Sequence, residues 1–110
     1  MGASAEAPSV ARTSPVDVVQ GEKPDTELDL LGRARSALAS DPSIALAIAD
    51  AAAARFPAGA LAQEREMIAI DALTRLGRTP DASARAASFV ERYPTSAYRP
   101  RIDSLIRANP

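Results

Sequence analysis

Apolar residues recur every three or four positions from residue 25 onward, which is the spacing of one face of an α-helix. The first such stripe runs from Leu30 to Leu38. Asp25 or Thr26 can act as its N-cap, because a short side-chain oxygen accepts from free N–H groups of the first turn. The pattern therefore predicts a first helix that ends near Ser40.

The second helix is predicted to start at Asp41-Pro42, where an N-cap residue precedes a proline at the first helical position. It is predicted to end near Arg55. Asp50 and Arg55 are the only charged residues in its body. A helix that is apolar nearly all round is typical of the middle of a packed array, so we expect this helix to lie there.

Three more helices follow, each bounded by residues that start or stop helices. The third is predicted over residues 60–76, because its apolar stripe stops at Gly77. Thr79 and the proline after it repeat the cap-and-proline start, and this fourth helix is predicted to end before Pro94. The fifth is predicted over residues 97–108. None of these five segments predicts a strand, so the fold class is all-α. Val16, Val18 and Val19 could form a short extended piece, but an isolated strand has no partner there.

The first 24 residues have a different character from the rest. Pro8, Pro15 and Pro24 interrupt a tract rich in Ala, Ser and Val that has no sustained period. We expect residues 1–24 to be a disordered Pro/Ala-rich linker and residues 25–110 to form one helical domain. The start of the chain has neither the basic residues nor the apolar run of a secretory signal.

Composition narrows the possible functions. The chain has no His and no Cys, which excludes zinc fingers, iron–sulfur sites, cysteine nucleophiles and Ser-His-Asp relays. A net charge of −1 argues against nucleic-acid binding, which normally needs a basic stripe. Among the 110 residues are 25 alanines, 12 arginines and one lysine, which indicates the codon bias of a GC-rich, bacterial genome. We therefore expect no cofactor, no metal and no enzymatic activity.

The helical region contains an internal repeat at an offset of 37 to 38 residues. Residues 41–42 align with residues 79–80, and Arg-Phe-Pro at residues 55–57 aligns with Arg-Tyr-Pro at residues 92–94. A repeated pair of helices is typical of an α-solenoid, in which each pair stacks on the next.

These repeats resemble the tetratricopeptide-like family. The second copy carries the small residues, leucine, turn glycine and closing proline of that pattern, at Ala72, Leu76, Gly77, Ala82, Phe89 and Pro94. A weaker copy lies at Ala34, Leu38, Ala45 and Pro57. The period differs from the usual 34 residues, the usual first-helix aromatic is missing, and Ala39 or Ser40 replaces the first turn glycine. The resemblance implies two helical hairpins and a C-terminal capping helix.

The closing Arg-aromatic-Pro motifs are similar to those of bacterial envelope proteins, including outer-membrane assembly lipoproteins and periplasmic coordinators of cell division. Residues 61–78 are also similar to C-terminal domains of myxobacterial single-pass membrane proteins encoded beside sigma-factor genes. The resemblance implies a protein-interaction module on the periplasmic side of a membrane-anchored parent protein. An alternative is the sensor half of a transmembrane regulator of a sigma factor.

The same resemblance implies a concave binding surface lined by the first helix of each pair. Its residues would be Asp29, Arg33, Ser36, Glu64, Met67, Asp71, Thr74 and Arg75. An exposed Met67 beside alternating charges would suit an extended or helical peptide. The alternative is that Met67 and Ile70 pack against a neighbouring helix. The four alanines at Ala51–Ala54 could form a homodimer contact, or they could allow two helices of the same chain to pack closely.

Acidic residues recur four positions before arginines, and we interpret these pairs as support for helix surfaces. The pairs are Asp29/Arg33, Asp71/Arg75, Asp81/Arg85 and Asp103/Arg107. Glu64, Glu66 and Asp71 are a candidate carboxylate cluster. Glu64 and Glu66 point in nearly opposite directions on one helix, so their spacing does not predict a catalytic or metal site.

Overall fold

The computed structural model describes residues 25–108, and these form five helices without a strand. The helices are α1 (Glu27–Ala37), α2 (Pro42–Arg55), α3 (Ala62–Arg75), α4 (Thr79–Arg92) and α5 (Arg99–Ala108). The prediction of an all-α fold with five helices is confirmed. The predicted linker at residues 1–24 lies outside the described residues.

Two helices begin as the sequence predicts. Thr26 caps α1 in a capping box with Asp29, in which each side chain accepts from the other residue's backbone N–H at 3.1 Å. Asp41 caps α2 and accepts from the N–H of Ile44, with Pro42 at the first helical position. A hydrogen bond from the Ser43 hydroxyl, with the Ile44 N–H, lowers the pKa of Asp41.

The predicted start of α4 is wrong in detail. Thr79 is not its N-cap but its first residue, and Arg78 takes the N-cap position without a side-chain hydrogen bond. The proline therefore lies at the second helical position, where its missing N–H is equally harmless. The two N-caps, Asp41 and Arg78, are 37 residues apart in the structure. Aligning Pro42 with Pro80 uses an offset of 38 residues, and this placed the predicted cap of α4 one residue too late.

The predicted stop at Gly77 is confirmed. Its φ of 73° lies in the left-handed region, which a side chain disfavours. The Gly77 N–H donates to Thr74 O at 3.1 Å, and the Arg78 N–H donates to Leu73 O at 2.9 Å. These two bonds form a Schellman motif, which satisfies the last carbonyl groups of α3 and turns the chain toward α4.

The centre of the fold is α3, because it contacts each of the other four helices. Every residue of α3 from Met67 to Thr74 is buried. The expectation that α2 occupies the middle is wrong: only Ala45, Ala49 and Ala52 of α2 are buried, and Ile44 is 50% exposed. A helix with alanine on its outer face can be apolar all round and still lie at the surface, since alanine has little apolar area to hide.

Small residues allow the helices to approach closely. Ala34, Ala45, Ala72 and Ala82 are completely buried at the positions where the repeat pattern requires small side chains. The largest fully buried side chains are Leu31, Ile68, Ile70, Phe89 and Ile102. Phe89 also contacts Tyr93, with ring centroids 5.1 Å apart.

The repeat is visible in the backbone of two junctions, residues 56–61 between α2 and α3 and residues 93–98 between α4 and α5. In the first junction the N–H groups of Phe56, Gly59, Ala62 and Arg65 donate to Ala52, Phe56, Gly59 and Leu61. In the second, Tyr93, Ser96, Arg99 and Ile102 donate to Phe89, Tyr93, Ser96 and Tyr98. Each donor and acceptor moves by 37 residues, so the repeat predicted from the sequence is present in the fold.

Candidate functional site

The predicted binding residues on α1 lie at its exposed surface. Asp29 belongs to the capping box of α1. Arg33 forms an ion pair with Asp25 at 3.0 Å. Ser36 is exposed. Arg35 of α1 reaches α3, where its guanidinium pairs with the carboxylate of Glu64.

Three of the predicted binding residues on α3 are buried. Met67 is 9% exposed, Asp71 is 2% exposed and Thr74 is 6% exposed. The expectation of an exposed Met67 is therefore wrong, and Met67 and Ile70 instead belong to the hydrophobic core. The Thr74 hydroxyl donates to Asp71 O at 2.7 Å within the helix, so its polar group is satisfied locally.

Asp71 is a buried carboxylate held by two arginines from different helices. The Arg75 Nε donates to Asp71 Oδ1 at 2.8 Å, as the predicted i,i+4 pair requires. Arg101 of α5 approaches Asp71 Oδ2 at 3.6 Å. The two arginine side chains are 44% and 59% exposed. Asp71 thus fixes two accessible guanidinium groups near one point between α3 and α5.

These contacts define a surface that we call the charged face: Arg35, Glu64, Asp71, Arg75 and Arg101. It runs across α1, α3 and α5, which are the first helices of the two hairpins and the capping helix. Sequence reasoning missed Arg35 and Arg101. Helical periodicity places residues on their own helix but gives no information on which residue of a neighbouring helix they meet.

A second ionic cluster joins α2, α3 and α4, and sequence reasoning missed it entirely. Arg85 of α4 binds both carboxylate oxygens of Glu66 on α3, at 2.8 Å and 3.2 Å. Its third contact is Asp50 of α2, at 2.9 Å. The predicted pair Asp81/Arg85 is wrong, because Asp81 binds Arg78 instead. We call Asp50, Glu66 and Arg85 the bridge cluster.

Burial and charge act in opposite directions on the bridge cluster. Burial raises the pKa of Glu66, but hydrogen bonds and positive charge from Arg85 and Arg65 outweigh it and hold the pKa below its ordinary value. Burial likewise lowers the pKa of Arg85, and the carboxylates of Glu66 and Asp50 outweigh it and raise that pKa. Both partners are therefore charged across the ordinary pH range, and the cluster ties three helices together.

The two clusters have different chemical capacities. In the bridge cluster, bidentate pairing occupies most donors of Arg85, so few remain for a ligand. In the charged face, Arg75 and Arg101 each use little of their five-donor guanidinium on Asp71. Their free donors can bind carboxylate or carbonyl oxygens.

Within residues 25–108, no group of three or more acidic, histidine or cysteine residues is arranged to hold a metal ion. No helix in the same range is long and apolar enough to cross a membrane.

The fold and the charged face define a small all-helical, repeat-like protein with an exposed ionic surface. Comparison with known proteins gives no matching family model, no similar curated protein and no similar solved structure. Membership of the tetratricopeptide-like family stays a prediction from the sequence.

Proposed function

We propose that this chain is a non-catalytic protein-interaction module whose charged face binds a peptide segment of a partner protein. The observation that carries the proposal is the convergence of Arg75 and Arg101 on the single carboxylate of Asp71, with both guanidinium groups still accessible. A guanidinium held in place by a buried carboxylate loses little side-chain entropy when it binds a further oxygen.

The rest of the charged face supports a peptide of mixed charge. Arg35 and Glu64 form an ion pair beside the arginine pair, so positive and negative groups alternate across α1, α3 and α5. Such alternation contributes to specificity, because a partner must present the opposite order of charges. Of the predicted set, Asp29, Arg33 and Ser36 are exposed on a different side of α1 from Arg35, and Met67 and Thr74 are buried in α3, so these five residues lie outside the charged face.

The test is to select 12-residue peptides that bind the full chain from a random library and to measure their affinity for variants. Arg75→Gln and Arg101→Gln remove charge from the proposed surface. We expect each variant to weaken binding by about tenfold, which corresponds to the loss of one charge-assisted hydrogen bond. Arg92→Gln is the matched control, since Arg92 is exposed on α4 and away from this face.

Equal affinity of all three variants and the wild type would contradict the proposal. Circular dichroism of each variant separates lost binding from lost folding, because the helical signal must be retained. Loss of binding in Arg92→Gln alone would move the binding surface to α4.

The proposed location is the periplasmic side of a bacterial membrane, as part of a membrane-anchored parent protein. It is supported by the resemblance of the Arg-aromatic-Pro motifs and of residues 61–78 to envelope proteins. Osmotic-shock fractionation of the producing bacterium tests it: recovery with periplasmic markers is expected, and recovery with cytoplasmic markers would contradict it. A sigma factor released when the chain is deleted would favour the alternative role as the sensor half of a regulator.

A further inference from the structure

A groove of about 590 Å³ lies between α4 and α5, on a different surface from the charged face. Ala86, Val90 and Ile106 supply its apolar floor. Glu91, Asp103 and Arg107 supply a charged rim. No ion pair within residues 25–108 joins Asp103 to Arg107, although they are four residues apart on α5.

The repeat relates this groove to a surface that is already covered. At the offset of 37 residues established by the two junctions, α5 is the equivalent of α3, and Asp103 is the equivalent of Glu66. On α3, that acidic position is covered by the next helix, α4, which places Arg85 on the Glu66 carboxylate. On α5, the equivalent carboxylate borders an open groove.

The apolar floor also matches the requirement of a helix. Val90 and Ile106 are only partly buried, whereas α4 buries Ala82, Ala86 and Phe89 where it packs. A helix bound in the groove would cover Val90 and Ile106 as α4 covers the core-facing side chains of α3. Apolar contacts at helical spacing are the usual anchors when a helix binds a groove.

From this equivalence, we propose that the α4–α5 groove binds an amphipathic helix of a partner protein, with an arginine placed against Asp103 and Glu91. Two carboxylates and one guanidinium give the rim a net negative charge, which selects a basic residue on the contacting face. An acidic residue one turn away would meet Arg107.

A second copy of this chain fits the groove less well. Within residues 25–108, the large hydrophobic side chains that stay exposed are Leu28, Ile44 and Leu76. They lie on or beside three different helices, so no described helix presents a free apolar stripe. A partner helix with its own unused apolar face fits the groove better than any helix of a second copy.

The probe is a fluorescein-labelled peptide with the sequence of residues 78–93, acetylated and amidated, because this segment carries Arg85 and fills the equivalent surface on α3. Its binding to the full chain is measured by fluorescence anisotropy. We expect saturable binding that Asp103→Arg weakens at least tenfold. A peptide in which Arg85 is replaced by Glu should restore binding to the Asp103→Arg chain.

Ser104→Arg is the matched control, because Ser104 is an exposed neighbour of Asp103 that does not line this groove. It should leave the affinity unchanged. Val90→Asp, which places a charge on the apolar floor, should abolish binding while circular dichroism shows an intact helical fold.

Three results would overturn the proposal. The first is no binding at a peptide concentration of roughly 1 mM, the limit of a weak specific complex. The second is binding that Asp103→Arg and Val90→Asp leave unchanged, as expected if the peptide displaces α4 from α3. The third is a dimer in sedimentation that Val90→Asp converts to a monomer, which would assign the groove to a second copy. Arg75→Gln and Arg101→Gln should not affect the peptide, so this test is independent of the charged face.

Discussion

The two junctions share one backbone but are stabilised by different side chains. In the first junction, the Leu61 N–H donates to Oε1 of Glu27, which reaches across from the start of α1. In the second junction, the equivalent Tyr98 N–H donates to the hydroxyl of Ser96, two residues away. The equivalent N–H group at the two helix starts thus binds a residue far away in the sequence in one junction and a residue two positions away in the other.

Gly59 explains how the distant cap is possible. It takes the position of Ser96 in the repeat, and a Cβ there would overlap the carboxylate of Glu27. Glycine at position 59 therefore provides no local cap but leaves space for the Glu27 carboxylate, which connects α1 to the start of α3. The equivalent buried residues after the two junctions also differ. Arg65 donates to Phe56 O at 3.1 Å, whereas Ile102 is apolar and makes no side-chain hydrogen bond.

A repeated backbone therefore does not require repeated side-chain interactions. The first junction lies inside the array and is tied to α1 by polar contacts that also fix the position of a neighbour. The second lies near the end and depends on local capping and apolar burial. Stability should therefore respond differently to matched substitutions in the two junctions.

The largest expected effect is at Ile102, the buried apolar residue of α5 that follows the second junction. Ile102→Ala removes a side chain that is completely buried, and we expect the free energy of unfolding to fall by about 2–5 kcal/mol because a cavity remains. Urea denaturation followed by circular dichroism measures it. Leu105→Ala, at a half-buried position of the same helix, should cost less, and an equal cost would contradict the assignment of Ile102 as the anchor.

The bridge cluster should give the next largest effect. Arg85→Met keeps the length of the side chain but removes its bonds to Glu66 and Asp50, and we expect a loss of about 2 kcal/mol. The control is Arg92→Met, an exposed arginine on the same helix, for which a change within about 0.5 kcal/mol is expected. Similar losses in both variants would show that the cluster adds nothing specific.

A smaller effect is expected from acid. Because the pKa of Glu66 is lowered in the folded state, its stabilising contribution is present above the ordinary value of 4.5 and is lost as the pH falls through the lower folded value. Thermal melts between pH 7 and pH 3 should show this loss. Glu66→Gln should be less stable at pH 7 and change less with acid. Glu91→Gln, an exposed control, should keep the wild-type decline.

The smallest expected effect tests the exchange of caps in the first junction. Gly59→Ser should displace Glu27 from Leu61, and the loss should stay near 1 kcal/mol because the new hydroxyl can cap locally as Ser96 does. Adding Glu27→Ala should recover part of the loss, because the displaced carboxylate is then absent. Chemical denaturation of the two single variants and the double variant measures the coupling, and strictly additive losses would contradict it.

Much of the fold follows from the sequence because its signals are local. The caps at Thr26 and Asp41, the glycine stop at Gly77 and the repeated Arg-aromatic-Pro motifs each act within a few residues. The small-residue positions also follow from the repeat. These signals predict five helices with boundaries within two or three residues of those observed.

The errors arise where long-range pairing decides. Arg85 has an acid at i−4 in Asp81, yet it pairs with Glu66 and Asp50 on two other helices. Met67 follows the charged Glu66 and Asp71 is itself charged, yet contacts with the surrounding helices bury both residues. A helical period distinguishes the faces of one helix, but burial depends on how many other helices meet each face.

The central position of α3 has a consequence for how the chain opens and closes. Local opening can detach α5 while α1 to α4 remain packed, because among the helices of residues 25–108 α5 contacts only α3 and α4. No such partial opening is available to α3, since its release breaks contacts with every other helix. The most slowly exchanging amide protons should therefore lie in α3, where exchange requires complete unfolding. Amide protons of α5 should exchange through a local opening of lower free energy, in which Arg101 leaves the charged face.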